Sequence, residues 1–221
     1  MAFPLRIDFI SDIACPWCVI GLRGLQHALR EVGDAVEAEI VFHPFELNPH
    51  MPPDGENVGE HIQKKYGSPP ERSTTARQAL TERGAELGFQ FNYTSESRIW
   101  NTFDAHRLLH WAGLEGKQLA LKEALFAENF TEQRSTSDPE VLAAAAERAG
   151  LDPVRARAII ASDDFKQDVR REEAFWTSRG VQAVPTIIFN ARWALQGGQP
   201  PEVFARVIRD IMSGAVKEAP A

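Results

Sequence analysis

The chain has 221 residues, 43% hydrophobic and 25% charged, which is ordinary for a soluble globular protein and enough to bury a core without staples. Its 31 acidic against 24 basic residues leave a net charge of -7, which argues against nucleic acid and anionic membrane surfaces as partners. Such a length suits one elaborated domain or a small domain carrying an insertion.

Leu5 to Ile10 reads as a short apolar strand. Val19, Leu22, Leu25, Ala28, Leu29 and Val32 then recur at helical spacing until Gly33 stops them, and a second strand is expected from Ala38 to Phe45. This is the start of an α/β unit. The proline-rich stretch from His43 to Pro53 should be a rigid connection, because each Pro removes a backbone donor and biases its predecessor away from helix. From about Val58 to Arg179 nearly everything looks helical. Helices are expected over Ser73 to Leu87, Thr102 to Ala112, Lys117 to Phe130, Val141 to Ala149 and Asp164 to Ser178. Asp138-Pro139 and Asp152-Pro153 each supply a cap and a first-turn proline. No strand-like alternation interrupts the segment, so it reads as a helical insertion. The sheet resumes with Val184 to Phe189 and Ala194 to Gln196, and an amphipathic helix from Pro201 to Met212 follows. The expected organisation is an α/β domain of residues 1–50 and 180–221, with residues 51–179 as the inserted helical domain and its connections.

Both cysteines of the chain lie in Cys15-Pro16-Trp17-Cys18, where the first strand gives way to the first helix. Two sulfurs at that spacing close a disulfide within one helical turn, and the first of them meets the positive end of the helix dipole, which favours its thiolate. Cys15 is the candidate nucleophile and Cys18 the resolving thiol. Other roles fit less well. A structural zinc site wants about four ligands, and no third cysteine exists; haem attachment wants His where Val19 stands. A disulfide staple over so short a loop constrains little unfolded-chain entropy. Pro16 and Trp17 are expected to form part of the substrate cleft. Pro185 is either a trans strand starter or a cis proline whose bond exposes the Val184 backbone to a ligand.

Residues 8–21 around the thiols, Asn101 to Arg107, and Gly180 to Thr186 together resemble the FrnE-type branch of the DsbA family over essentially the whole chain. The resemblance implies a thioredoxin-like fold interrupted by a helical domain, with Pro185 in cis facing the Cys15 sulfur and Val184 beside it. A neighbouring branch holds the kappa-class glutathione transferases and the 2-hydroxychromene-2-carboxylate isomerases. Those enzymes typically carry a serine where Cys15 stands and an acidic residue in the late glycine turn. Here that turn reads Gly197-Gly198-Gln199-Pro200, with no carboxylate before Glu202.

His106 and His110 lie four apart on a helix, a spacing open to a metal, but a packed or hydrogen-bonded face is the expected role, and no metal is called for. Asp12 is expected to cap the local turn, while Asp8 is left open as a proton relay. Asn92-Tyr93-Thr94 fits a glycosylation acceptor, relevant only to a secreted protein. No charged n-region or apolar h-region precedes Cys15, so the expected compartment is the cytoplasm unless a leader was removed, and there two cysteines in one motif point to redox chemistry. The reading is therefore a thiol-disulfide oxidoreductase acting on a disulfide-containing protein or a small thiol. It needs no cofactor, is open to glutathione as co-substrate, has no nucleic-acid or membrane partner, and is compatible with a homodimer. Its alternatives are a glutathione-dependent isomerase or transferase for a small aromatic compound, and a catalytically idle partner-binding module.

Overall fold

The computed structural model describes residues 1–215, so positions 216–221 of the expected 180–221 segment lie outside the described residues. Four strands form the main sheet: β1 (Phe3–Ser11), β2 (Val36–Pro44), β5 (Thr186–Phe189) and β6 (Trp193–Gln196), in the order β2-β1-β5-β6. β1 runs parallel to β2 in the register Ile7↔Ile40, and antiparallel to β5 in the register Ile7↔Phe189. A parallel pair needs a long crossover, and α1 (Pro16–Val32) supplies it. Every residue of β1 from Ile7 to Ser11 is buried whichever way it points, so the central strand is covered on both faces. The cover on one side comes from α1 and α9 (Pro201–Met212), which pack on each other. Gly24 permits their approach, since a Cβ there would stand 2.8 Å from the Gln199 carbonyl and 3.2 Å from the Phe204 ring.

Between β2 and β5 the chain runs through β3 (Glu56–Asn57), α2 (Val58–Tyr66), α3 (Pro70–Glu86), β4 (Arg98–Ile99), α4 (Phe103–Leu114), α5 (Gln118–Phe126), α6 (Pro139–Arg148), α7 (Pro153–Ala161) and α8 (Lys166–Ser178). The expected caps are in place: Glu140 N–H donates to Asp138 and Val154 N–H to Asp152, each at 2.8 Å. α4, α5 and α8 pack against β2 and fix the helical layer to the sheet. The fold is thus the expected mixed α/β architecture, with differences in detail. β3 and β4 pair antiparallel over two residues each, too short a ladder for alternation to show in the sequence. α3 begins at Pro70, earlier than Ser73, because a proline suits the first turn. α5 stops at Phe126 and passes into a wider π-type turn, Ala127–Thr131, rather than continuing to Phe130. Among the described residues no helix is long and apolar enough to cross a membrane.

Candidate active site

Cys15 occupies the cap position of α1 in extended backbone geometry (φ -96°, ψ 108°), and Pro16 opens the helix, where its missing N–H leaves no bond unmade. Cys15 N–H donates to the Asp12 carbonyl at 3.2 Å, and Cys18 N–H to the Cys15 carbonyl at 3.0 Å. These bonds fold the tetrapeptide into one tight turn. Both cysteines are free thiols. Cys15 keeps 3% of its surface and lines a cavity, whereas Cys18 is fully sealed behind it. The two therefore differ in access and in electrostatics. Burial, the hydrogen bond to Cys15 and the negative charge Cys15 can carry push the Cys18 thiol well above its ordinary value, and Lys122 opposes them in part.

The loop before β5 reaches the same point. The Val184–Pro185 peptide bond is cis, and the Cys15 thiol donates to the Val184 carbonyl at 3.6 Å. Gly21 and Gly198 allow this approach: a Cβ on Gly21 would meet Pro185 at 3.1 Å, and one on Gly198 would meet the Trp17 carbonyl at 2.9 Å. The structure therefore gathers Cys15, Pro16, Trp17 and Val184 along one cavity wall, with Pro185 against α1 behind Val184. Trp17 stands at the rim, 44% exposed.

Behind the thiols lies a buried polar layer. Asp12 accepts from Ala14 N–H at 3.2 Å, the expected local cap, and also from Leu47 N–H at 2.7 Å and His106 Nε2 at 3.4 Å. Burial raises the Asp12 carboxyl, but His106 and these donors outweigh it and hold the group below the usual carboxylate range. Asp8 faces elsewhere, taking His43 Nε2 at 2.9 Å and the Arg6 guanidinium at 3.1 Å. His43 Nδ1 in turn meets Glu172 at 2.5 Å, and His110 lies 3.8 Å from the same carboxylate, so both histidines tie α8 to its neighbours.

Three groups at the site were not legible as such in the sequence. Lys122, on α5, is fully buried and its ammonium has no hydrogen-bond partner. Its Nζ lies 5.0 Å from the centre of the Phe126 ring and 5.8 Å from that of Phe42. Burial lowers its pKa from 10.5 to about 8, against the pull of Cys18, Asp12 and Cys15. The π-type turn brings Asn129 to the cavity, where its Nδ2 donates to the Ile13 carbonyl at 3.4 Å. One face of α3 supplies Arg72, Ser73 and Arg77 to the cavity lining. In the sequence all of these are unremarkable polar residues in helical or irregular stretches, and only the packing of the insertion against α1 reveals them.

Residues 6–209 match the family model described as the DSBA-like thioredoxin domain. A probable DsbA oxidoreductase of Streptomyces coelicolor is 31% identical, with a TM-score of 0.88 over 98% of this chain and 93% of its own. The uncharacterized protein YwbO of Bacillus subtilis (strain 168) is 27% identical over 93% of this chain and 96% of its length. The cytosolic disulfide reductase DsbM of Pseudomonas aeruginosa, solved with GSH, shares the fold at a TM-score of 0.63 and 15% identity, over 94% of this chain and 99% of its own.

Proposed function

The chain belongs to the DSBA-like thioredoxin domain family, the fold of thiol-disulfide oxidoreductases, and from that premise we propose that it exchanges disulfides through Cys15 and Cys18. One observation carries the reading: Cys15 opens on a cavity while Cys18, directly behind it, is sealed and held as a thiol. In the reductive direction the Cys15 thiolate attacks one sulfur of a substrate disulfide, and the other sulfur leaves with the electron pair. A mixed disulfide on Cys15 results. Cys18 then gives up its proton and attacks the Cys15 sulfur, which releases the second substrate thiolate and leaves the Cys15–Cys18 disulfide.

The hard step is the loss of the Cys18 proton, because burial disfavours the thiolate. Lys122 answers it. An amine that titrates at about 8 is populated in both forms near neutrality, and the negative charges that Cys18, Asp12 and Cys15 can carry favour its ammonium form. As an ammonium it steadies the Cys18 thiolate through its charge, without a hydrogen bond to it, and the Cys18 proton ends on the substrate thiolate that leaves. Pro16, Trp17, Val184 and Pro185 shape the wall against which the substrate sulfur lies. No metal or nucleotide enters this chemistry, and glutathione serves as co-substrate. On this reading the protein works in the reducing cytoplasm, since both its cysteines are committed to the motif. The test is reduction of a model disulfide by the wild type, Cys15→Ala and Cys18→Ala: turnover in the wild type alone supports the assignment, and turnover in Cys15→Ala removes it.

A further inference from the structure

Tyr93 lines the cavity on which Cys15 opens, and the chemistry described so far does not use it. Packing and backbone bonds fix its place. The ring stacks on Phe91, centroids 5.6 Å apart and planes 3° from parallel, and meets Phe130 edge-on at 6.3 Å. The chain is pinned on either side: Asn92 N–H donates to the Phe130 carbonyl at 2.9 Å, and Thr94 N–H to the Ser97 hydroxyl at 2.8 Å. A ring clamped in this way holds its hydroxyl in place before any partner arrives, so little further entropy is lost when one binds.

Among the described residues the Tyr93 hydroxyl has no hydrogen-bond partner. It stands near enough to Cys15 for a charge there to act on it. Burial, and then the negative charge Cys15 can carry, push the hydroxyl above the usual tyrosine range, with Arg77 opposing, so it keeps its proton at neutral pH. Yet it makes no bond to the Cys15 sulfur, whose own thiol donates to the Val184 carbonyl at 3.6 Å. A donor near the attacking sulfur but not on it suits the leaving sulfur, because an in-line displacement sets the attacking, attacked and leaving sulfurs in one row. Other donors of the lining are engaged. Arg98 donates to the Asp54 and Gly55 carbonyls at 3.0 and 2.9 Å, Gln133 Nε2 to the Asn129 and Phe130 carbonyls at 3.2 and 3.0 Å, and Asn129 Nδ2 to the Ile13 carbonyl at 3.4 Å.

We propose that Tyr93 is a catalytic residue of the exchange, its hydroxyl donating a hydrogen bond to the sulfur that leaves when Cys15 attacks a substrate disulfide. The proposal rests on the exchange reading and adds to it the group that receives the departing charge. The Cys15 thiolate forms the new S–S bond, the substrate S–S bond breaks, and the leaving sulfur takes the electron pair. Tyr93 keeps its proton throughout, so the balance of the two steps already given is unchanged. What the hydroxyl supplies is a fixed dipole aimed at the atom on which charge develops.

Tyr93→Phe keeps both ring contacts and removes only the hydroxyl. The experiment measures, by acid quench and intact mass, how fast a mixed disulfide forms at Cys15 in the Cys18→Ala background, which isolates the first step, with and without Tyr93→Phe. Two small neutral disulfides are compared: bis(2-hydroxyethyl) disulfide, whose alkyl thiolate leaves poorly, and 4,4′-dithiodipyridine, whose thiolate leaves readily. Tyr93→Phe should slow the alkyl disulfide about tenfold and the pyridyl disulfide less than about twofold, because a stable leaving thiolate gains little from a donor. An equal loss with both disulfides would make Tyr93 a packing residue, and no loss with either would leave its hydroxyl without a part in the reaction; each result overturns the proposal. If Cys15 reacts with neither disulfide while Tyr93 is intact, it is the exchange reading itself that fails, and the Tyr93 role with it.

Discussion

Replacing Lys122 by methionine separates what the fold wants from what the chemistry wants. The side chain is fully buried with its Nζ near the Phe42 and Phe126 rings and with no hydrogen-bond partner, so a methionine of similar length fills the same space without a charge. Lowering a lysine from 10.5 to about 8 corresponds to about 3 kcal/mol of disfavour for the ammonium in the folded state. Below about pH 8 both folded and unfolded lysine hold the proton and that cost is fully present. Between about 8 and 10.5 the unfolded lysine still holds its proton while the folded one has released it, so the Lys122 contribution makes stability rise with pH. Cys18 acts in the opposite direction, because its folded value lies above the unfolded one and its stabilising contribution is lost as pH rises. That trend is present in both proteins and drops out of their difference. Urea unfolding of the reduced wild type and Lys122→Met from pH 7 to 9.5 should show the variant more stable at pH 7, by up to about 3 kcal/mol, with the gap narrowing as pH rises. The same variant should hold its mixed disulfide about tenfold longer or more, with the first attack by Cys15 less affected. A variant that is less stable at pH 7 and resolves its mixed disulfide at the wild-type rate would refute the argument.

Alkylation of the native reduced protein with iodoacetamide at pH 7 should label Cys15 well before Cys18, since Cys18 is sealed and held protonated; equal labelling read by peptide mass spectrometry counts against the division of roles. Glu172 tells of acid sensitivity: burial raises its carboxyl, but hydrogen bonds from His110 and His43 hold it at about 2. Its stabilising contribution is therefore full above about 4.5 and lost as pH falls towards 2, so Glu172→Gln should flatten the acid limb of the stability curve by up to about 3 kcal/mol. An unchanged acid limb would show that the contact between α8 and His43 contributes little. Gly24→Ala should lower stability by about 1–3 kcal/mol, because the new methyl meets the Gln199 carbonyl at 2.8 Å and Phe204 at 3.2 Å where α1 and α9 approach; an unchanged thermal midpoint would mean that the turn before α9 yields freely.

Much of this architecture is local and so was readable. The apolar spacing from Val19 to Val32, the Asp-Pro pairs at 138 and 152, and the β-branched run before Phe189 each declare their own element. Cys15 and Cys18 were legible because their chemistry depends on a spacing within one turn. Lys122, Asn129, Ser73, Arg72 and Arg77 were not, for a physical reason. Each acquires its role from a surface more than forty residues away in the chain, and nothing in α3 or α5 alone says which face will close over the thiols. Lys122 is the sharpest case, since a lysine beside Leu121 in an amphipathic helix reads as a solvated residue, yet the sheet buries it completely.

The central claim is that Cys15 forms the bond to substrate and Cys18 breaks it. The most direct measurement is intact-protein mass spectrometry of Cys18→Ala and Cys15→Ala after exposure of each reduced protein to glutathione disulfide. Cys18→Ala should accumulate one stable glutathione adduct, located at Cys15, while Cys15→Ala stays unmodified and the wild type passes on to the internal disulfide. An adduct that forms equally on both variants, or on Cys15→Ala alone, would contradict the account.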